Sequence, residues 1–146
     1  MKLRLVFLGK TRSPEYQALI EHYCERIQHF YPVEVVERRS TAAGPEVFKK
    51  LRDDKQGAHL ALLDAGGKAF TSEQFAEWLN RRVESTAKQL VFVAGGAEGF
   101  PDETKALADS NISLSPMTYA HELARVMLTE QIYRAFSILR NHPYSK

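Results

Sequence analysis

Three short segments hold the residues whose types and spacing could do chemistry. They are Leu63-Asp64-Ala65-Gly66-Gly67-Lys68, Gly95-Gly96-Ala97-Glu98-Gly99 and Leu114-Ser115-Pro116-Met117-Thr118-Tyr119-Ala120-His121. Each follows a run with the character of a β-strand, and open α/β sheets bind ligands beyond the carboxyl ends of their strands. Glycine pairs let a ligand approach backbone N–H and C=O groups closely. A single pair is more often a turn. Three such loops after consecutive strands, the last leading into a long helix, point to one composite pocket. Its lining is apolar and rich in backbone with little fixed positive charge, which favours an adenosine-type ligand over a bare phosphate.

Other chemistries are disfavoured by what the sequence lacks. Gly9-Lys10-Thr11-Arg12 after the first strand has neither the closely spaced glycines of a dinucleotide loop nor the Gly-Lys-Ser/Thr of a P-loop. Asp64 lacks the acidic pair that a phosphoacceptor would need after the first strand. Ser13, Ser72 and Ser115 stand outside any nucleophile elbow. The histidines His22, His29, His59, His121 and His142 show no metal-ligand spacing with carboxylates, so no metal is expected.

The elements that must position these loops alternate along the chain, the pattern of an α/β domain. Leu3 to Leu8 reads as a strand. Ser13 then caps a helix with Pro14 in its first position, and Tyr16, Leu19, Ile20, Tyr23, Ile27 and Phe30 follow the spacing of one helix face. Val33 to Arg38 is a second strand and Pro45 to about Lys55 a short helix. His59 to Asp64 is a third strand, apolar enough to be buried on both faces. Thr71 and Gln74 form a capping box, flanked by Phe70 and Phe75 as a hydrophobic staple. Gln89 to Ala94 is a fourth strand, Pro101 to Asp109 a short helix, Ile112 to Ser115 a fifth strand, and Tyr119 to Leu139 one long helix.

That last helix carries Leu123, Val126, Met127, Leu128, Ile132, Tyr133, Phe136 and Leu139, which spread over more than one stripe. A helix apolar around most of its circumference must be covered on two sides. The sheet covers one; a second copy of the chain is expected to cover the other, giving a homodimer.

At 146 residues the chain is the size of one domain, 1–146, and with 44% hydrophobic and 26% charged residues it reads as a globular domain, not a disordered one. The lone Cys24 excludes an internal disulfide, no apolar run approaches a membrane span, and the N-terminus is unlike a secretory signal. A cytoplasmic protein is expected. The net charge of +2 is unevenly placed: residues 1–39 hold seven basic against five acidic residues, 40–115 nine against eleven, and 116–146 four against two. Lys2, Arg4, Lys10 and Arg12 come before the first acid, Glu15. Basic termini around an acidic middle suit structured RNA better than generic polyanion binding.

The motifs resemble one family as a set. Gly9-Lys10, Leu63-Asp64 with Gly67-Lys68, Val93-Ala94-Gly95-Gly96 with Gly99, and Leu114-Ser115 to Met117-Thr118 with His121 recur in order. So do Arg125-Val126, Glu130-Gln131, Tyr133-Arg134-Ala135 and Asn141-His142-Pro143-Tyr144. Along its whole length the chain resembles the RNA large subunit methyltransferase H family, SPOUT-class enzymes that methylate N3 of a pseudouridine in 23S rRNA. The resemblance implies a mainly parallel sheet flanked by helices with a C-terminal trefoil knot, a homodimer, S-adenosyl-L-methionine as methyl donor, and ribosomal RNA as substrate, with the assembled ribosome the expected form. Carried over by position, the cofactor site falls on Leu63, Gly95, Leu114, Ser115, Pro116, Met117, Thr118 and Tyr119. His121 and Tyr144 are the candidates near the transferred methyl, and Arg125, His142 and Lys146 the candidates for RNA. The chain departs from the family at Ala120, where many members have proline, and at Ser145-Lys146, where many end His-Arg or His-Lys. The tail beyond the last helix is expected to order on RNA. Two other readings stay open: a non-catalytic ribosome-binding or assembly module, and a SPOUT methyltransferase acting on tRNA.

Overall fold

Side chains along the central strands point alternately to two cores, as the two-residue period of a strand requires. The protein is described by a computed structural model over residues 2–39, 44–54, 57–85 and 89–145. Its elements in chain order are β1 (Lys2–Leu8), α1 (Pro14–Gln28), β2 (Val33–Arg38), α2 (Pro45–Asp54), β3 (Ala58–Ala69), α3 (Ser72–Val83), β4 (Gln89–Ala94), α4 (Asp102–Leu107), β5 (Ser110–Ser113) and α5 (His121–Leu139), followed by a 3-10 turn at Pro143–Ser145. The five strands form one sheet in the order β2-β1-β4-β3-β5, and every pairing is parallel.

Leu3, Leu5, Phe7, Ala61, Leu90 and Phe92 face a core closed by α1, α3 and α5. Val6, Leu8, Leu60, Leu62, Val91 and Val93 face a smaller core closed by Phe48 of α2 and by Phe100. The result is three layers, helix on sheet on helix. Local signals set the helix starts. The Ser13 hydroxyl accepts from the Tyr16 amide, and at α3 the capping box is complete: Thr71 Oγ1 accepts from Gln74 N at 3.1 Å while Gln74 Oε1 accepts from Thr71 N at 3.0 Å. Phe70 and Phe75 sit 6.2 Å apart, as a staple should.

Three sequence expectations are corrected here. First, β3 does not stop at Asp64. It continues to Ala69 through a register irregularity between Leu63 and Lys68, and its second half pairs with β5. Gly67 permits this, because a Cβ there would lie 2.5 Å from the Asn111 carbonyl oxygen. Second, β5 begins two residues earlier than expected and ends at Ser113, since the polar Ser110 and Asn111 pair with Ala61 and Leu62. Third, much of the apolar surface of α5 is covered within one chain by α1 and α3 as well as the sheet. α5 buries Val126, Leu128, Ile132, Tyr133 and Phe136 in the core that α1, α3 and the sheet share. One chain thus supplies more of the cover than the sheet alone, while Leu123 and Met127 lie outside that core.

Candidate functional site

The chain leaves β5 at one edge of the sheet and enters α5 beside the end of β1, near the opposite edge. Residues 114–120 must therefore cross the carboxyl ends of β3 and β4, which lie between. The landing point is set by Glu122, whose Oε1 accepts from the amides of Arg12 (2.8 Å) and Ser13 (3.0 Å). The crossing segment is shaped by two hydroxyls. Ser115 Oγ accepts from Met117 N at 3.0 Å. The buried Ser113 hydroxyl lies 3.0 Å from Ala65 O and 2.9 Å from Ser115 O, so it can donate to either.

Beneath the crossing lies a cleft of about 310 Å³, within the size range of small-ligand sites. All three segments singled out in the sequence contribute to it. Of the expected cofactor positions, Leu63, Gly95, Leu114, Ser115, Met117, Thr118 and Tyr119 line the cleft, and His121 lines it from the first turn of α5. Pro116 belongs to the same segment but is exposed and does not line it. Sequence reasoning missed Phe100, Lys105 and Ala124, which complete the wall. Phe100 is the consequential one: a Cβ on Gly95 would lie 3.2 Å from its ring, so glycine is what lets the β4 end settle against that phenyl group.

The charge of the lining is informative. Among the described residues Lys105 is the only lysine or arginine in the wall, and its ammonium lies 3.5 Å from Asp64 Oδ2. Glu98 adds a second carboxylate. A cleft with two carboxylates and one paired ammonium does not suit a phosphate. It suits a ligand with an apolar ring, hydrogen-bonding edges for backbone groups, and positive charge. Among the described residues, no three His, Cys, Asp or Glu side chains cluster as a metal site would need, and no helix is long and apolar enough to cross a membrane.

A family model described as "Predicted SPOUT methyltransferase" matches residues 1–145. Proteins named "Ribosomal RNA large subunit methyltransferase H" are similar over nearly the full chain. That of Christiangramia forsetii is 40% identical over 154 residues, covering 99% of this chain and 98% of its own. That of Geobacter sulfurreducens is 38% identical with 99% of each covered, and that of Parabacteroides distasonis 38% identical with 99% and 98% covered. This chain belongs to the ribosomal RNA large subunit methyltransferase H family.

Within this methyltransferase fold the remaining expected site residues lie away from the cleft. Arg125, expected to position RNA phosphate or base, is fully buried. Its Nη2 donates to Leu8 O at 2.8 Å, and Nη1 to Gly9 O at 3.0 Å and Thr11 Oγ1 at 2.9 Å. The guanidinium also stands 5.0 Å over the Phe7 ring. Burial lowers its basicity, opposed by the charges of Glu122 and Glu37. Arg125 thus fastens the segment after β1 to the first turns of α5.

Tyr144 and His121 are not brought together in one chain. Tyr144 packs on Tyr133 with ring centroids 4.5 Å apart, its hydroxyl donates to Glu130 Oε1 at 2.9 Å, and Arg134 stands 5.1 Å over its ring. Nine residues of helix separate Glu130 from His121, roughly 13 Å of rise. Burial, then hydrogen bonds with Tyr23 and Glu130, push the Tyr144 hydroxyl well above its ordinary pKa, so in this position it stays protonated. Tyr144, in the tail expected to order on RNA, has Tyr133 and Glu130 as its ring and hydroxyl partners here. Arg134 pairs with Glu130 at 2.7 Å along the helix, as the four-residue spacing suggests. His142 is exposed, and its Nδ1 accepts from Tyr144 N at 3.2 Å. Lys146 lies outside the described residues.

Proposed function

We propose that this chain transfers a methyl group from S-adenosyl-L-methionine to N3 of a pseudouridine in 23S rRNA, on the assembled ribosome. The observation that carries the reading is the union of three strand-end segments in one cleft, with His121 on its wall, in a chain of this family. The names of the similar proteins place their action on large-subunit ribosomal RNA.

The residues present fit the donor. Leu63, Leu114 and Tyr119 offer an apolar slot for adenine beside the backbone of Gly95 and Gly96, and Asp64 and Glu98 balance a positive sulfonium. When bound, the donor supplies an electrophilic methyl group on sulfur. The chain's own work is then orientation and proton removal, since N3 carries a proton that must leave. His121 is the titratable imidazole on the cleft wall, and we assign it to hold or move that proton. Tyr144 is docked far down α5 of its own chain, so it serves the cleft only when a second copy brings it there. The reading therefore includes a homodimer, and with it the family's C-terminal trefoil knot, for which the passage of residues 114–120 over two strand ends is the support. A cytoplasmic location goes with a ribosomal substrate.

Calorimetry with S-adenosylmethionine and a truncation together test the reading. The full chain should bind the donor, and deletion of residues 142–146 should leave that binding intact while abolishing methylation. Absence of donor binding would favour the non-catalytic ribosome-binding module, and unchanged turnover by the truncated chain would remove the tail from the mechanism.

A further inference from the structure

We propose that the exposed rim formed by Lys10, Arg12, Arg38 and Arg39 is a contact surface for RNA phosphates, held in shape by Arg125 and Glu122. The proposal rests on the rRNA reading above and names where on this chain the substrate's backbone lies. All four residues follow β1 or end β2, at the same end of the sheet as the cleft. Leu8 and Arg38 are register partners, and Gly9 N donates to Arg38 O at 2.6 Å, so the two basic pairs are neighbours.

The contrast with the other early basic residues is what points to a ligand. Lys2 and Arg4, at the opposite end of β1, are both neutralised by Glu34, at 2.8 and 3.1 Å. Lys10, Arg12, Arg38 and Arg39 make no ion pair among the described residues. The acids nearest them are engaged with backbone or hydroxyl groups instead: Glu37 accepts from Thr11 N at 2.6 Å, Glu122 from the Arg12 and Ser13 amides, and Glu15 from the Ser13 hydroxyl. These acids still carry charge, yet three carboxylates against four exposed cations and the buried Arg125 leave the rim positive.

Rigidity is the second observation. A surface loop with two long basic side chains would normally be mobile. Here Arg125 grips the segment at Leu8, Gly9 and Thr11, and Glu122 at Arg12 and Ser13. His121 and Ala124, on the same two turns of α5, line the cleft. One short stretch of helix thus fixes both the cleft wall and the basic segment, so phosphates held at the rim would stand in a set relation to the reacting base. Phosphate contacts of this kind set position and register, not sequence.

The test uses full-length protein and assembled ribosomes. Lys10→Ala/Arg12→Ala and Arg38→Ala/Arg39→Ala are compared with Lys49→Ala/Lys50→Ala, an equal charge removal from the exposed face of α2. Each rim variant should weaken binding to the ribosomes about tenfold or more at moderate salt and raise KM for them, with kcat and donor affinity within about twofold of the parent. The slope of log affinity against log salt should fall by roughly 0.7–0.9 for each phosphate that the variant no longer neutralises. The α2 pair should change none of these. Rim variants that behave like the α2 pair would overturn the proposal while leaving the rRNA reading standing. A parent protein that binds and methylates no ribosomal RNA would overturn both.

Discussion

Arg125 Nη2 donates to the main-chain carbonyl of Leu8 at 2.8 Å, across 117 residues of sequence and inside the core. A buried guanidinium has to be compensated by acceptors, and Leu8, Gly9 and Thr11 supply three. This arrangement joins the last residue of β1 to the helix that carries His121. The basic segment after β1 and the wall of the cleft therefore share one mechanical anchor.

Truncating that anchor leaves two carbonyl oxygens without their donors. Arg125→Ala is expected to destabilise the fold by about 2–4 kcal/mol. Arg125→Lys keeps the charge but not the planar fork, and should recover only part of the stability. Arg140→Ala, at an exposed position just past the same helix, should stay within about 0.5 kcal/mol of the parent. Urea denaturation followed by circular dichroism measures all three.

Glu122 gives the same segment a dependence on pH. The Ser13 amide holds its carboxyl below the ordinary range; burial acts the other way, and the Arg12 amide and the charges of His121 and Arg125 add to the lowering. A carboxyl with a depressed folded value contributes stability above the ordinary carboxylate range and loses it as pH falls through the depressed value. Amide exchange at Arg12 and Ser13 should thus be protected at neutral pH, with protection falling in acid. In Glu122→Ala, protection factors at both amides should drop by roughly tenfold at neutral pH while core amides are unchanged.

Two neighbouring glycines provide a paired test of the β3 irregularity. A Cβ on Gly67 would lie 2.5 Å from Asn111 O and 2.8 Å from Ile112 N, both main-chain atoms that cannot swing aside. On Gly66 the nearest atom is the Asp64 carboxylate at 3.8 Å, an ordinary contact. Gly67→Ala should cost about 1–3 kcal/mol, and through the Ser113–Ala65 link should also weaken donor binding. Gly66→Ala should cost well under about 1 kcal/mol. Denaturation and calorimetry on the two variants check this.

Much of this architecture is legible in the sequence where the signal is local. Ser13-Pro14 and Thr71 with Gln74 mark helix starts that the structure reproduces, and β2 and β4 carry the expected boundaries. What is not legible depends on distant partners. Asp64-Ala65-Gly66-Gly67 reads as a turn, and becomes strand only because β5 pairs beyond it. Ser110-Asn111 is too polar to announce a strand without that same partner. α5 reads as covered on one side by the sheet, because nothing local shows that α1 and α3 will also flank it. The cleft follows the same division. Its three segments carry glycines or follow strands, so they stand out, whereas Phe100 and Lys105 enter from the core and from α4 with no motif around them. Arg125 sits in a strongly patterned stretch, but no pattern distinguishes an arginine turned inward from one facing solvent.

The central claim is methyl transfer to one nucleotide of one RNA. The direct measurement is mass spectrometry of nucleosides from assembled ribosomes lacking the modification, after incubation with this protein and methyl-labelled S-adenosylmethionine. The account predicts label in 3-methylpseudouridine from 23S rRNA and in no other nucleoside, with much less label from the rim variants at ribosome concentrations below KM. No label, or label in another nucleoside or in tRNA, would contradict it.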